Sequence, residues 1–170
     1  MFNIDIAFKH NDIDFKFQAN IARGKPHTFE VGEQMLADKL FWVLCGLDKN
    51  YTGTIEGEGI SFAASSFNNV LALGDKTMYI RGSAERNIYK ALRVRAKRKL
   101  AKERTEQVIK LYNLERLAKF NIKLLEDDEL LTVSLARAHF RKIRLVIFKN
   151  LNNIEIDLSK FKTEYIITIC

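Results

Sequence analysis

The chain is poor in cysteine and proline and has no long apolar run, and each shortage removes a class of protein. Its two cysteines, Cys45 in an apolar stretch and Cys170 at the end, cannot build a disulfide framework. Neither sits in a CxxC or Cys/His spacing suited to zinc, which points to a reducing compartment. The opening MFNIDIAFKHNDIDF alternates charged and apolar residues, so it lacks the continuous apolar core of a signal peptide. No segment approaches the roughly 20 apolar residues of a membrane span. The expected location is therefore the cytoplasm, with a peripheral place on the inner face of a membrane as an extension. With one proline, no low-complexity linker and no internal repeat, the 170 residues read as a single domain. His10, His27 and His139 are scattered, and no Ser/His/Asp or metal-ligand spacing is present, so neither a catalytic group nor a bound metal or cofactor is expected.

What the chain does contain is enough apolar content, 47%, to bury a core, and a net charge of +7 that permits an anionic partner. Much of that charge lies in one run. Arg93, Arg95, Lys97, Arg98, Lys99 and Lys102 could meet the phosphates of nucleic acid or of anionic lipid. No aromatic residue interleaves for base stacking, and Glu103, Glu106 and Glu115 follow, so a solvated helix face is the plainer reading of the run.

Periodicity orders the chain. Phe2, Ile4, Ile6 and Phe8 alternate with polar residues, and Ile13, Phe15 and Phe17 do so again after His10-Asn11-Asp12; this predicts strand, turn and antiparallel strand. A short strand is expected around Thr28–Val31, then a buried helix over Met35–Leu47 with Gly46 near its end. Strands are expected at Thr54–Glu56 and at Val70–Leu73, the latter stopped by Gly74. From Ser83 to Lys119 the pattern is helical, with Ala84, Ile88, Leu92, Val108, Leu111, Leu114 and Leu117 as apolar positions. A further helix is expected over Asp128–His139, and Leu145–Phe148 and Tyr165–Thr168 have the unbroken apolar character of buried parallel strands. Phe41, Trp42 and Phe67 are assigned to the core.

Three segments carry a family resemblance. Gly24 to Gly59, above all Leu44-Cys45-Gly46-Leu47-Asp48-Lys49-Asn50-Tyr51-Thr52-Gly53-Thr54-Ile55, resembles the first half of an ABC-transporter ATPase domain. Asn87-Ile88-Tyr89-Lys90-Ala91-Leu92 looks like the segment after that family's Q-loop, and Val133-Ser134-Leu135-Ala136-Arg137-Ala138 looks like the helix following its signature motif. The resemblance implies an α/β, P-loop NTPase core of RecA-like type, with an antiparallel β subdomain and a helical subdomain at about 83–140. It stops near Cys170, where family members usually continue, which implies a form shortened at the C-terminus.

The same alignment implies that each catalytic motif has been lost. A P-loop wraps phosphates with glycine backbone, a lysine and a magnesium-binding hydroxyl; here Ala37 stands at the lysine and Asp38 at the hydroxyl, with Lys39 too far round the helix to substitute. Gly74 matches the Q-loop glutamine. Leu125, Glu126, Asp127, Asp128 and Glu129 match Leu-Ser-Gly-Gly-Gln, placing carboxylates where γ-phosphate would bind; a cation could be drawn to them, but an acidic start to the following helix is the plainer reading. Phe148-Lys149-Asn150 replaces the Walker B ending and its two carboxylates, and Ile169 holds the switch-histidine position.

ABC domains work as head-to-tail dimers, so an oligomer is compatible with the resemblance. With both halves of the composite site altered, neither nucleotide nor metal is expected as a ligand, and the basic run makes nucleic acid no more than an alternative. The expected role is an inactive structural or regulatory subunit, or adaptor, with protein partners in a membrane-associated assembly. Two alternatives stand beside it: a basic domain that binds nucleic acid or anionic lipid, and a nucleotide-sensing transporter subunit.

Overall fold

The computed structural model describes residues 1–58, 60, 69–74, 79–150 and 154–170; Phe67 lies outside them. The described chain forms two units, Met1–Leu73 with Lys142–Cys170, and Gly74–Arg141.

The first unit begins with β1 (Phe2–His10) and β2 (Ile13–Ile21), paired antiparallel from Phe2 opposite Ile21 to His10 opposite Ile13. Asn11 and Asp12 join them with φ of 49° and 61°. Two left-handed residues are what a tight hairpin turn matching the twist of the strands requires, and Asn and Asp tolerate that conformation best after glycine. Phe2, Ile4, Ile6 and Phe8 are all at most 5% exposed, each worth about 1.5–3 kcal/mol of burial. On the other side of β1 lies β4 (Thr52–Gly57), again antiparallel. It extends beyond the expected Thr54–Glu56 because Gly53, at φ 98°, passes close to β1: a Cβ there would lie 2.0 Å from the Asp5 carbonyl oxygen.

The second sheet is parallel, in the order β3-β7-β6-β5, built from β3 (Pro26–Phe29), β5 (Val70–Leu73), β6 (Leu145–Lys149) and β7 (Tyr165–Ile169). Leu145 to Phe148 are buried without interruption, as expected of a strand covered on both faces. β3 is shifted from the expected Thr28–Val31. Its bounds are set by its partner, since Pro26 to Phe29 pair with Ile166 to Ile169; Pro26, which has no N–H to donate, is tolerated because β3 is the outer strand. Cys170 N–H still donates to the Phe29 carbonyl at 3.0 Å and Val31 N–H to that of Cys170 at 2.8 Å.

Helix α1 (Gln34–Leu44) packs on β6 and β7. It is shorter than the expected Met35–Leu47 because Gly46, at φ 70°, takes the left-handed position beyond the cap while Leu47 N–H donates back to the Trp42 carbonyl. Phe41 is wholly buried; Trp42 is only half-buried.

In the second unit the stretch expected to be helical over 83–119 is two helices, α2 (Ala84–Arg93) and α3 (Arg98–Leu111), separated by a turn in which Arg95 N–H donates to the Leu92 carbonyl. Asn113, at φ 54°, ends the second. Ala84, Ile88, Leu92, Val108 and Leu114 are buried as expected, while Leu111 is 41% exposed. A 3-10 turn at Ile122–Leu124 leads into α4 (Asp127–Ala138). α2 packs against both α3 and α4, so two of the segments that carry the resemblance touch each other. Asn87 ties this unit together: its buried amide donates to the carbonyls of Ile80 and Ser83 and accepts from Ile80 N–H, all at 2.9–3.0 Å. No helix among the described residues is long and apolar enough to cross a membrane.

Candidate functional site

In an open parallel sheet, ligands bind beyond the carboxyl ends of the strands. At that edge of this sheet Phe29, Ile169 and Lys149 are neighbours by register, and Leu73 pairs with Phe148. The loop Glu30-Val31-Gly32-Glu33, the start of α1, Lys149 and Ile169 are thereby brought to one place, although they span most of the chain.

Each position has a definite occupant. The Lys149 Nζ is 2.5 Å from Asp38 Oδ1 and donates to it. The lysine side chain is only 10% exposed and its ammonium lies 5.4 Å from the centre of the Phe41 ring. Ala37 has no exposed surface. In a Gly-x-x-x-x-Gly-Lys-Ser/Thr loop whose lysine falls at 37, the two glycines fall at 31 and 36; those residues are Val31 and Leu36, and Leu36 is buried, 4% exposed. Glu33 flanks α1 and its carboxylate lies 3.7 Å from His10 Nε2. Lys39 points elsewhere: it donates to Asp48 at 2.5 Å, holding the Asp48 carboxyl below its ordinary value, and lies 5.8 Å from the centre of the Phe8 ring.

The strand ends complete the picture. Phe148, taken from the sequence as part of an altered motif, is 3% exposed and belongs to the packed strand; the site begins at Lys149. Asn150 follows, and its side chain accepts from Ile154 N–H at 2.7 Å and donates to the Ile154 carbonyl at 3.2 Å. Ile169 is wholly buried, and Gly74, at φ 95°, offers no side chain.

The acidic run lies in the second unit. Glu129 accepts from the Glu126 backbone N–H at 2.9 Å, and Asp127, Asp128 and Glu129 form the first turn of α4. They sit where a helix dipole favours anions, as the plainer reading of the sequence has it. Leu125 is buried. The histidines also have local roles: His27 packs edge-on against Phe29 and His139 Nδ1 is 3.2 Å from the Tyr112 hydroxyl.

Glu30, Glu33 and Asp38 put three carboxylates in the loop before α1 and within that helix, Ala37 carries no charge, and the Lys149 ammonium is paired with Asp38. The Asp38–Lys149 pair is the feature that sequence reasoning did not find. Each residue was singled out as an altered position, but nothing in the sequence shows that the two alterations complement one another.

The two-layered arrangement of a parallel sheet bearing a loop-and-helix at its carboxyl edge, an antiparallel sheet, and a separate helical unit defines the ABC-ATPase class of P-loop fold, and solved structures share it. CbiO1 from Clostridium perfringens, described as part of the ABC transporter complex cbiONQ, matches 99% of this chain over 77% of its own at 14% identity, with a TM-score of 0.63. The ATP-binding cassette MJ0796, solved as a dimer in a post-hydrolysis state with ADP and Pi, matches 99% of this chain over 87% of its own at 13% identity, with a TM-score of 0.66. No family model and no curated protein matches the sequence. The chain thus has an ABC-ATPase-like fold at a level of identity where fold alone is shared.

Proposed function

We propose that this protein is a non-hydrolysing ABC-ATPase-like subunit that serves as a structural or regulatory adaptor. It acts from the cytoplasm within a membrane-associated assembly. The observation that carries the reading is the ion pair between Asp38 and Lys149. The resemblance sets Asp38 at the P-loop hydroxyl and Phe148-Lys149-Asn150 at the Walker B ending; here Asp38 and Lys149 hold each other. This side-chain ion pair ties the first helix to the central strand with no bound ligand needed for the contact. The fold of such an ATPase is then kept without its ligand, and what remains useful is its shape.

A protein partner is supported by the neighbours, one described as part of a transporter complex and the other as a dimer. The test is calorimetric titration of the whole chain with magnesium and ATP, beside an intact ATP-binding cassette as positive control. No measurable heat from this protein is the expected result, and micromolar binding would overturn the reading in favour of a nucleotide sensor. Restoring only Ala37→Lys and Asp38→Ser is a poor control, because Ala37 and Leu36 are packed inside. A tagged chain should also co-purify with a stable protein partner; recovery of the chain alone would sink the adaptor role.

A further inference from the structure

The turn between α2 and α3 concentrates positive charge, with Glu85 and Glu106 only at its margin beside Lys102. From Arg86 to Lys102 there is no acidic residue, and Arg93, Arg95, Lys97, Arg98, Lys99 and Lys102 are all exposed. Two apolar side chains stand among them, Val94 at 82% and Leu100 at 42% exposed. The turn itself is built: Arg93 Nη1 donates to the Ala96 carbonyl at 2.9 Å and Arg95 N–H to that of Leu92 at 3.2 Å. Positive charge reaches inward as well. Burial, with Arg95 and Arg137 nearby, pulls the half-buried Arg141 guanidinium down to about 10.

The local rules of helix formation do not account for this. Lys97 flanks the start of α3 without a side-chain cap, and Arg98 and Lys99 fill its first turn, which has no acidic residue. Cations there oppose the helix dipole, while the other two long-helix starts in this unit follow the rule, with Glu85 in α2 and Asp127, Asp128 and Glu129 in α4. A local cost kept in this way marks a position where another requirement prevails.

From this face we infer a docking surface for an anionic lipid bilayer, with Lys97, Arg98, Lys99 and Lys102 at the headgroups and Val94 entering the interface. Clustered Lys and Arg beside an exposed apolar residue match a negatively charged, partly apolar surface. A nucleic acid would meet the same charge, but no aromatic side chain stands in the run to stack on a base. The inference does not depend on the fate of the nucleotide edge, which lies in the other unit, and its test contains no nucleotide.

The test is co-sedimentation of the full chain with vesicles of phosphatidylcholine alone, or with about a third of phosphatidylserine, with a duplex oligonucleotide titrated in parallel. Binding is expected only to the anionic vesicles, weakening as salt rises from about 0.05 M to about 0.5 M. Each surface cation strengthens partition about fivefold, so the triple substitution Lys97→Gln, Arg98→Gln and Lys99→Gln is expected to weaken it on the order of 100-fold. These side chains are exposed, so the variant should keep the wild-type circular dichroism and melting temperature. Val94→Ser reports on insertion and should weaken binding severalfold at unchanged charge. The inference is overturned by no binding to anionic vesicles, by equal binding of the folded triple variant, or by tighter binding of the oligonucleotide than of the vesicles.

Discussion

Lys149, at the end of a central strand, donates to Asp38 on the first helix at 2.5 Å, across 111 positions of sequence. One hydrogen-bonded ion pair thus joins the end of that strand to the helix. If so, Asp38→Asn and Lys149→Met should each destabilise the protein by roughly 1–3 kcal/mol, because each leaves the other charge without this contact in partly buried surroundings. The double variant should recover about 1 kcal/mol or more of the summed loss. Urea denaturation of the four proteins measures the coupling; strict additivity would mean that the pair contributes nothing as a pair.

At the opposite edge of the same sheet, Arg144 grips Glu164 through two bonds, Nε to Oε1 at 2.9 Å and Nη2 to Oε2 at 2.7 Å, with Arg23 3.3 Å away. The hydrogen bond from Arg144 holds the Glu164 carboxyl below its ordinary value of 4.5. A lowered folded value means stability that is present above the unfolded value and lost as pH falls through the folded one. The melting temperature should therefore decline below about pH 4.5, and Glu164→Gln should flatten that decline while lowering stability at pH 7 by roughly 1–2 kcal/mol. Thermal melts between pH 3 and pH 7 test both.

Gly53→Ala should be among the most damaging single-methyl changes in the chain. The added carbon would meet the Asp5 carbonyl oxygen at 2.0 Å, and φ is 98°, so β4 must move away from β1 at a cost on the order of 2–4 kcal/mol. Hydrogen exchange of the β1 and β4 amides should speed up. Unchanged protection would refute the account.

In the helical unit, Asn87→Ala removes all three bonds of a side chain that is 2% exposed. It leaves the Ile80 N–H and carbonyl without this partner, while the Ser83 carbonyl still accepts from the Asn87 backbone N–H, so a loss of roughly 1–3 kcal/mol is expected. Asn87→Asp should also fail, because a carboxylate cannot donate to the Ile80 and Ser83 carbonyls. A melt of either variant within a degree of wild type would show that this amide is dispensable.

Much of the fold was legible because the physics that sets it is local. The alternation of β1, the paired turn residues Asn11 and Asp12, and the unbroken apolar run of β6 each declare a strand without reference to the rest of the chain. The break between α2 and α3 was not legible. Residues 94–97 contain no glycine or proline, and Lys, Arg and Ala favour helix, so nothing in the residues themselves marks the stop after Arg93. The exact span of β3 was hidden for a similar reason: it follows from the position of Ile166 to Ile169 beside it.

The sequence by itself determined most of the strands, which faces are apolar, and, through the resemblance, which residues stand at each motif position. Only the tertiary structure decided what those replacements do to one another. Asp38 and Lys149 become partners because two parallel strands and a helix bring their ends to one edge of a sheet, and Lys39, the nearer cation in sequence, is turned away to Asp48. Pairing of this kind depends on distances across the fold, which residue order does not encode locally.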